Sequence, residues 1–296
     1  MEVKTGPAIE AYSQGFTPCE DQRVTTFYEQ KTQAVLRRFG PGPRVHYRTG
    51  FIDGPVKYTT IAELRSQLFA SQELVLYYAS DFWELRRVSF RDVLDVGCGL
   101  GGGAIFWAQE FGATVTAATI APSHIGLVRE FAAQAGVAKR VLPMLCDALS
   151  VPGDGCFDAA LALDSSDTFP RAPWFRRLAR LIRPRGHVFI YDCFLENPEY
   201  ADPINRHWCA MIGTFDEYAN AAGAAGFSLQ MFEDVSYRTR EFWTLTIALY
   251  EAERREGLLG PWDQARFEEA REVHALMQRG LSDGGLRYAL VSFVKS

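Results

Sequence analysis

The chain has 296 residues, of which 48% are hydrophobic and 23% are charged, and its formal net charge is −5 at pH 7. This composition is typical of a globular protein with a sizeable core, and the negative charge argues against nucleic acid as the main partner. No apolar run reaches membrane-spanning length and the first residues lack a signal-peptide core, so we expect a cytoplasmic protein with no membrane span.

The first 90 residues precede the first predicted strand and look largely helical. A loop rich in glycine and proline, residues 39–55, divides these helical stretches. We therefore expect residues 1–90 to form a helical cap or lid beside a core of residues 91–296.

From residue 91 onward, strand-like and helix-like stretches alternate, which predicts a parallel sheet with helices on both faces. The predicted strands cover residues 93–96, 114–120, 141–146, 157–163, 187–194, 227–236 and 287–296. The predicted helices cover residues 102–112, 123–136, 172–182, 215–226 and 265–281.

Residues 195–217 lie outside this alternation, between a strand and the helix that follows it. Extra segments at the carboxyl ends of parallel strands often cover a substrate, and this one is rich in aromatic residues. We expect a lid insertion here, with ordinary surface decoration as the alternative.

Six cysteines occur at positions 19, 98, 146, 156, 193 and 209, and none forms a CxxC pair. Several of them fall in apolar, strand-like segments. We interpret them as buried free thiols of a reducing compartment, neither a zinc site nor a disulfide framework.

The stretch "DVLDVGCGLGGG", residues 92–103, is a strand that runs into a glycine-rich turn. A dinucleotide-binding turn places its acidic residue at the end of the second strand, whereas here Asp95 precedes the first glycine. A carboxylate at that point complements a cationic amino-acid group, and glycines let the main chain approach a ligand closely. The residues of the turn are Asp95, Gly97, Cys98, Gly99 and Gly101.

This turn resembles the first motif of class I S-adenosylmethionine-dependent methyltransferases, and the resemblance spans residues 91–296. It implies a Rossmann-like α/β fold with a seven-stranded sheet, whose last strand is antiparallel and lies between the fifth and the sixth. Asp147 and its neighbour Ala148 then line the adenine pocket. The segment 181–192 resembles the family's L-x-P-G-G turn, with Arg185 in the place of the first glycine.

The end of the second predicted strand resembles one subgroup of this family, which includes cyclopropane fatty acid synthases, tocopherol methyltransferases and geranyl diphosphate C-methyltransferases. Thr119 takes the position where most members carry an acid, followed by Ile120. The resemblance implies that Thr119, Ile120 and His124 lie at the methyl donor. The alternative for His124 is a helix-start residue without a ligand.

The loop "RVHYRTGF", residues 44–51, corresponds to a loop that folds over the methyl donor in this subgroup. The resemblance places His46 and Tyr47 at the reaction centre, with Thr49 and Gly50 in the same loop. Residues 28–42 resemble the preceding helix of geranyl diphosphate C-methyltransferases. Those enzymes carry asparagines for a metal-bound diphosphate, where this chain has Glu29, Gln30 and Lys31.

Asp164 follows the fourth predicted strand, at the position of a substrate-facing glutamate in the prenyl diphosphate enzymes. Methylation of an alkene makes a carbocation, which a carboxylate stabilises and deprotonates and which aromatic faces also stabilise. The alternative for Asp164 is a loop-start cap. The candidate acceptor residues are Tyr28, Lys31, Arg48, Phe51, Trp208 and Trp243, with Phe215 and Phe242 as further aromatic candidates.

The resemblance thus implies an S-adenosylmethionine-dependent C-methyltransferase that acts on an isoprenoid alkene, with Asp164, Tyr47 and His46 as catalytic residues. Lys31, Arg48 or a Mg²⁺ carried by the substrate would hold a diphosphate, and the protein supplies no metal site of its own. Three alternatives stay open: methylation with cyclisation of a prenylated or terpenoid natural product, O- or N-methylation of a small molecule, and a module that only binds S-adenosylmethionine. We also expect a homo-oligomer.

Overall fold

The computed structural model describes residues 22–296, and the first cysteine, Cys19, lies outside this range. The five described cysteines are free thiols, three of them buried. The seven described strands are β1 (Asp92–Val96), β2 (Thr114–Thr119), β3 (Val141–Leu145), β4 (Phe157–Leu163), β5 (Ile182–Leu195), β6 (Phe227–Asp234) and β7 (Leu286–Lys295).

These strands form one sheet in the order β3-β2-β1-β4-β5-β7-β6. Strands β1 to β5 pair in parallel, whereas β7 is antiparallel to both of its neighbours, β5 and β6. The sequence-based prediction of the fold is therefore confirmed, including the insertion of the last strand between the fifth and the sixth.

Helices flank the sheet and precede it. They are α1 (Gln22–Phe39), α2 (Ile61–Phe82), α3 (Gly102–Phe111), α4 (Pro122–Gln134), α5 (Arg171–Leu181), α6 (Ala201–Trp208), α7 (Phe215–Ala224), α8 (Ser236–Arg255), α9 (Pro261–Ala265) and α10 (Phe267–Asp283). The sequence-based prediction found α3, α4, α5, α7 and α10 and missed α6, α8 and α9. Within residues 22–296, no helix combines the length and apolarity needed to cross a bilayer.

The strands divide the core into two clusters because successive side chains of a strand point to opposite faces. In β4, Ala159 and Leu161 belong to the cluster under α2, α3, α4, α8 and α10. Their neighbours Ala160 and Ala162 belong to the cluster under α5 and α7. Each face is thus buried beneath helices, as the nearly continuous apolar strands require.

The turn into β5 explains why a glycine is favoured where this chain carries an arginine. Arg185 has a φ of 61°, in the left-handed region that glycine adopts most readily. Its side chain is exposed, so the arginine is accommodated at the surface.

Hydrogen bonds of Thr49 hold the loop between α1 and α2 against the carboxyl edge of the sheet. Its backbone N–H donates to the Asp164 carboxylate, and its carbonyl accepts from the Tyr191 hydroxyl at 3.1 Å. Its own hydroxyl lies 2.6 Å from that of Tyr288. These partners come from the end of β4, from β5 and from β7, so the loop crosses the ends of three strands.

The same loop lies against the glycine-rich turn. A Cβ atom on Gly102 would lie 2.4 Å from the Val45 carbonyl oxygen and 2.6 Å from Nδ1 of His46. Only glycine allows this approach. The N-terminal segment therefore contacts the start of α3 directly.

Candidate active site

A cleft of about 920 Å³ opens at the carboxyl ends of β1, β2 and β3. Parallel α/β sheets bind ligands at this edge, where the strand order reverses. Nine of the residues predicted to bind the donor line the cleft: Asp95, Gly97, Cys98, Gly99, Thr119, Ile120, His124, Asp147 and Ala148.

The main chain of the glycine-rich turn is held in a conformation that favours glycine. Gly97 and Gly99 have φ values of 73° and 54°, in the left-handed region. The N–H groups of Gly97 and Cys98 both donate to the Ala118 carbonyl at 3.0 Å, which ties the turn to β2. A Cβ atom on Gly99 would have no neighbour within 4 Å, so this residue borders open space in the cleft.

Gly101 was predicted as a donor contact, and the structure places it elsewhere. It precedes α3 with a φ of 81°, and it is not among the residues that line the cleft. A Cβ atom there would lie 2.9 Å from the Val128 side chain. The glycine is needed for the turn and for the packing of α4.

Asp95 is buried at the end of β1. Burial raises the pKa of its carboxyl group to about 6, while the nearby positive charge of Arg48 and a hydrogen bond from the Ala104 backbone oppose the rise. A cationic ligand group would remove the cost of this buried negative charge. Asp95 is therefore placed to bind an ammonium group.

Thr119 and His124 form one wall of the cleft. The Thr119 hydroxyl accepts from the Ala121 N–H at 3.2 Å and lies 3.4 Å from Nδ1 of His124. Nε2 of His124 lies 2.9 Å from the hydroxyl of Thr32 on α1. Burial lowers the pKa of His124 to about 4, so the imidazole is neutral at pH 7. This hydrogen-bonded chain connects the end of β2 with α1.

Asp147 borders the cleft beyond β3, and its carboxylate accepts from the Leu149 N–H at 2.8 Å. Helix α1 covers the opposite side of the cleft, where Tyr28, Lys31 and Thr32 line it. Sequence reasoning assigned the first two to the acceptor and did not anticipate Thr32.

A second, inner cavity of about 110 Å³ adjoins the cleft. Six residues line both spaces and so mark their junction: Tyr28, Lys31, Val35, Tyr47, Arg48 and Asp164. The inner wall is largely apolar and aromatic, and it includes Ile204, Trp208, Phe242, Trp243, Leu249, Tyr250 and Met277. We call this space the inner pocket. Its wall comes mainly from α1, α6, α8 and α10 and from the loop before α2.

Asp164 is the carboxyl group at the junction. It has a φ of 53°, and one carboxylate oxygen accepts from the Thr49 N–H. The other oxygen, Oδ1, is buried without a hydrogen-bond partner among the described residues. Burial and the nearby Asp192 raise the pKa of this carboxyl group to about 8. A buried acceptor without a partner is costly unless a ligand or water meets it.

Asp192 lines the inner pocket too, but its hydrogen bonds are satisfied by the protein. Its carboxylate accepts from the backbone and hydroxyl of Ser166 at 2.9 and 2.5 Å and from the Cys193 N–H at 2.8 Å. Asp192 therefore organises the loop after β4. Asp167 is a third carboxyl group that lines the inner pocket. Among the described residues that line this pocket, Asp164 carries the buried carboxylate oxygen without a partner.

Lys31 and Tyr47 meet on the other side of the junction. The Lys31 ammonium donates to the Tyr47 hydroxyl, which also accepts from the Trp208 indole N–H at 3.2 Å. Burial, together with the charges of Arg38 and Arg266, lowers the pKa of Lys31 to about 7. Burial raises the pKa of Tyr47 far above its ordinary value. A neutral phenol and a readily deprotonated lysine thus face both spaces.

Arg48 lies between Asp95 and Asp164, whose charges both act on its guanidinium. Its carbonyl accepts from the Gln72 side chain at 2.7 Å. Two of its nitrogens, Nε and Nη1, are buried without a partner among the described residues. The arginine is therefore fixed by its backbone and has N–H groups available for an anionic ligand group.

The structure corrects the predictions for His46 and Phe51, which do not line either space. His46 is buried behind Arg48: its Nε2 pairs with Glu73, and burial lowers its pKa to about 4. The Phe51 N–H donates to the Ser71 carbonyl at 3.0 Å, which turns the ring into the core. The His46 ring contacts the Arg48 guanidinium and positions it. The Phe51 ring packs in the core.

Trp208 and Trp243, which were predicted to contact the acceptor, line the inner pocket. Phe215 instead packs against Phe194 and Phe232 on the far side of the sheet. Many other lining residues of the inner pocket were missed, among them Arg38, Thr246, Tyr250 and His274. A helical spacing of buried residues in 242–250 would have revealed α8, but not which pocket it borders.

The cleft fits S-adenosylmethionine in shape and in charge. Asp95 suits the ammonium group, the unpaired N–H groups of Arg48 suit the carboxylate, and Gly99 leaves room beside the main chain. Together with the sheet order, these features define a class I methyltransferase.

Comparison with known proteins agrees. Residues 93–186 match the model of the family described as "Methyltransferase domain". The chain is 31% identical over 186 residues to 27-O-demethylrifamycin SV methyltransferase of Amycolatopsis mediterranei. That alignment covers 60% of this chain and 68% of that protein. It is 28% identical over 229 residues to methyltransferase GfsG of Streptomyces halstedii, covering 74% and 77% respectively.

Among solved structures, geranyl diphosphate C-methyltransferase from Streptomyces coelicolor A3(2) superposes with a TM-score of 0.78 at 16% identity. The superposition covers 95% of this chain and 100% of that chain, and at this identity it shows the shared fold. The chain belongs to the class I S-adenosylmethionine-dependent methyltransferases, and it is an enzyme of that family.

Proposed function

We propose that the enzyme transfers a methyl group to an alkene carbon of an isoprenoid acceptor. The observation that carries this proposal is Oδ1 of Asp164, a buried oxygen without a partner at the junction of the donor cleft and the aromatic inner pocket. An alkene in the inner pocket would lie between this carboxyl group and the methyl donor.

Bound S-adenosylmethionine supplies an electrophilic methyl group on a sulfonium sulfur. When the alkene π electrons form the new C–C bond, the S–CH₃ bond breaks and its electrons stay on sulfur. The acceptor is left as a carbocation, which must lose a proton to restore a double bond. The donor's positive charge has by then passed to the acceptor.

Asp164 meets the electrostatic needs of that step. Its carboxylate stabilises the cation and then accepts the proton through Oδ1. The free carboxyl group has a pKa of about 8, and the approach of the cationic donor favours its ionised form. Thr49 holds the other oxygen, so the group stays oriented during the reaction.

The aromatic wall has a second part in this proposal. Tyr28, Tyr47 and Trp208 stand at or next to the junction, and Trp243 lies deeper in the inner pocket. Their ring faces stabilise positive charge without reacting with it. The apolar wall also accepts the hydrocarbon chain and excludes water, which would otherwise capture the cation.

A diphosphate on the acceptor would meet Lys31 and Arg48, the two cationic side chains at the junction. Mg²⁺ would enter with that diphosphate, because phosphate oxygens are ligands it prefers. The reaction would therefore depend on Mg²⁺ only if the acceptor carries a diphosphate that binds near Lys31.

O-methylation is the second candidate, favoured by the similarity to a protein named as 27-O-demethylrifamycin SV methyltransferase. In that case Asp164 would accept the proton of a substrate hydroxyl group. The aromatic wall would then contribute binding only, since no carbocation forms.

The decisive experiment incubates the enzyme with methyl-deuterated S-adenosylmethionine and isoprenoid alcohols and diphosphates, with and without Mg²⁺. We expect a product with a deuterated methyl group on a former alkene carbon and an intact oxygen group, identified by mass spectrometry and NMR. A methyl ether as the only product would establish O-methylation instead. Failure to methylate any alkene in the panel would overturn the proposal.

A further inference from the structure

The inner end of the inner pocket carries a polar group of side chains that methyl transfer does not use. Arg38 lies there on α1, buried and facing α8. Its Nε donates to Glu253 at 3.0 Å, and its Nη1 donates to the Tyr250 hydroxyl at 2.9 Å and to Asp263 at 3.0 Å. Its Nη2 is buried and has no partner among the described residues.

Tyr250 adds a second donor. Its hydroxyl oxygen accepts from Arg38, so its own hydrogen remains to be donated to something else. The Arg38 guanidinium lies 3.8 Å above the Tyr250 ring, which fixes the two side chains relative to each other. An N–H donor and an O–H donor are thus held in the wall of the inner pocket, next to the apolar side chains Leu249 and Met277.

His274 supplies the matching acceptor, and its tautomer follows from its neighbour. The Thr246 hydroxyl donates to the Trp243 carbonyl at 2.8 Å, because a carbonyl oxygen can only accept. That hydroxyl therefore accepts from Nδ1 of His274, 3.2 Å away, and we assign the proton to Nδ1. In a neutral ring this leaves Nε2 with a lone pair.

The ring is neutral at physiological pH. Burial lowers the pKa of His274 to about 3, and the charges of Lys31 and Arg38 act in the same direction. The ring stacks on Trp208 with its plane tilted by 9°, so its position is fixed by packing as well as by Thr246. His274 lines the inner pocket.

The neutral His274 ring favours an uncharged ligand group here. Glu253 and Asp263 pair with Arg38 and also with Arg65 and Arg37, whose side chains are 32% and 39% exposed. The three arginines exceed the two carboxylates by one charge, so the selection depends on the acceptor atom of His274. An ionised phosphate offers only acceptors, so its oxygens would face the lone pair of the His274 ring. A hydroxyl group both accepts and donates, and can satisfy all three side chains.

We propose that Arg38, Tyr250 and His274 form a recognition site for an uncharged hydroxyl group of the acceptor, at the end remote from the carbon that is methylated. The inference deepens the proposed function and rests on it for the identity of the methylated group. The hydroxyl oxygen accepts from Arg38 and Tyr250, and its hydrogen is donated to His274.

The position of the site predicts where the methyl group is added. Lys31 marks the junction and Arg38 the inner end, seven residues apart on one helix, which corresponds to about 10 Å along its axis. An isoprenoid alcohol bound by its oxygen at Arg38 therefore presents a distant double bond to the donor. We expect methylation of an alkene remote from the oxygen.

The test measures binding separately from methyl transfer. Farnesol, farnesyl methyl ether and farnesyl diphosphate are titrated into the enzyme saturated with S-adenosylhomocysteine, by calorimetry. We expect farnesol to bind about tenfold more tightly than the ether, which lacks the donated hydrogen, and more tightly than the diphosphate. His274→Phe keeps an aromatic ring and should remove the preference over the ether.

His207→Phe is the matched control, because His207 is equally buried and its ring centroid lies 6.2 Å from that of His274, yet it does not line the inner pocket. It should keep the preference for farnesol. Thermal melting and S-adenosylhomocysteine affinity establish that each variant is folded. Should His274→Phe unfold the protein, Tyr250→Phe removes one donor and should weaken farnesol and its ether alike.

Tighter binding of the diphosphate, or a preference for farnesol that persists in His274→Phe, would overturn this inference and leave alkene methylation standing. Conversely, tight farnesol binding that depends on His274 but gives no methylated product would overturn the proposed function and retain the recognition site. Methylation of the farnesol oxygen would overturn both, because that oxygen would then lie at the methyl donor. The two failures are therefore distinguishable.

Discussion

The donor cleft and the inner pocket are adjacent but are built in different ways. The cleft is formed largely by main chain and short side chains at the ends of β1 to β3, and its central turn is one continuous stretch of sequence. The inner pocket is formed by long side chains from α1, α6, α8, α10 and the loop before α2. The shape of the cleft thus depends on backbone conformation, whereas that of the inner pocket depends on side chains from the surrounding helices.

Gly99→Val should have the largest effect, because it tests whether the main chain builds the donor cleft. The substitution forces a β-branched residue into a φ of 54° and places its side chain in the space beside the turn. We expect loss of measurable S-adenosylhomocysteine binding by calorimetry. Gly112→Val is the control, since Gly112 also has a positive φ of 65° and open space but does not line the cleft. Equal donor affinity in the two variants would contradict a backbone-built site.

Asp164→Asn tests the acceptor side of the comparison. It keeps the shape of the side chain and tolerates the left-handed backbone, but it removes the charge that a cation needs. Turnover should fall on the order of a hundredfold, with donor affinity nearly unchanged because the ammonium group is assigned to Asp95. Turnover is measured under saturating donor and acceptor.

Asp158→Asn is the matched control for that experiment. Asp158 is a buried aspartate near the opposite end of β4, where it accepts from the Arg91 and Asp92 N–H groups at 3.0 and 3.1 Å. Its loss should lower the melting temperature and leave the turnover of folded enzyme unaltered. Similar turnover in Asp164→Asn and Asp158→Asn would show that Asp164 only caps the loop and does not take part in catalysis.

The pH dependence sharpens the same assignment. Burial and Asp192 raise the pKa of Asp164 to about 8, against the opposing effects of Thr49, Tyr288 and Arg48. The carboxylate is the proton-accepting form, so kcat/KM should rise with pH until about 8 and level off above it. Because the pKa of Asp164 in the folded protein lies above its ordinary value, the folded protein binds more protons than the unfolded chain at pH values between the two pKa values. The contribution of this group to stability therefore falls as the pH rises from about 4 to about 8.

Asp164→Asn should remove both the rise in kcat/KM and that part of the pH dependence of urea unfolding. Lys31, with a pKa of about 7, is the other group at the junction that titrates nearby. A rise in kcat/KM that survives in Asp164→Asn and disappears in Lys31→Met would assign the base to Lys31.

Gly103→Ala should have the smallest effect, and it probes the point where the two regions meet. An added Cβ atom would lie 2.9 Å from Nη2 of Arg48 and 3.3 Å from the Asp95 carboxylate, so the end of the arginine must shift. We expect about tenfold weaker donor binding with little change in melting temperature, since alanine favours a helix. Gly126→Ala, in α4 with open space around it, should leave donor affinity unaltered. Full donor affinity in Gly103→Ala would show that Arg48 does not contact the donor.

The sheet and the glycine-rich turn of the cleft could be predicted from the sequence. Alternating strands and helices define the parallel core, because strand pairing and helix packing act on every residue of an element. Asp95, Gly97 and Gly99 could be placed at the carboxyl edge of the sheet, where they line the cleft, because a glycine-rich turn after a strand has few possible backbone conformations.

The acceptor side depends on contacts that form only when distant segments fold together. Helix α8 buries Arg238, Thr239 and Glu253 as well as its apolar residues, and apolar spacing does not predict that such polar side chains are buried. The partners of these polar groups lie far away along the chain, as in the pairing of Arg38 with Glu253. In the loop before α2, Tyr47 and Arg48 face the site while His46 and Phe51 turn away from it. A loop has no repeating pattern of side-chain directions, so the sequence does not show which of its side chains face the site. The directions of His46 and Phe51 depend on their contacts with Glu73 and Ser71.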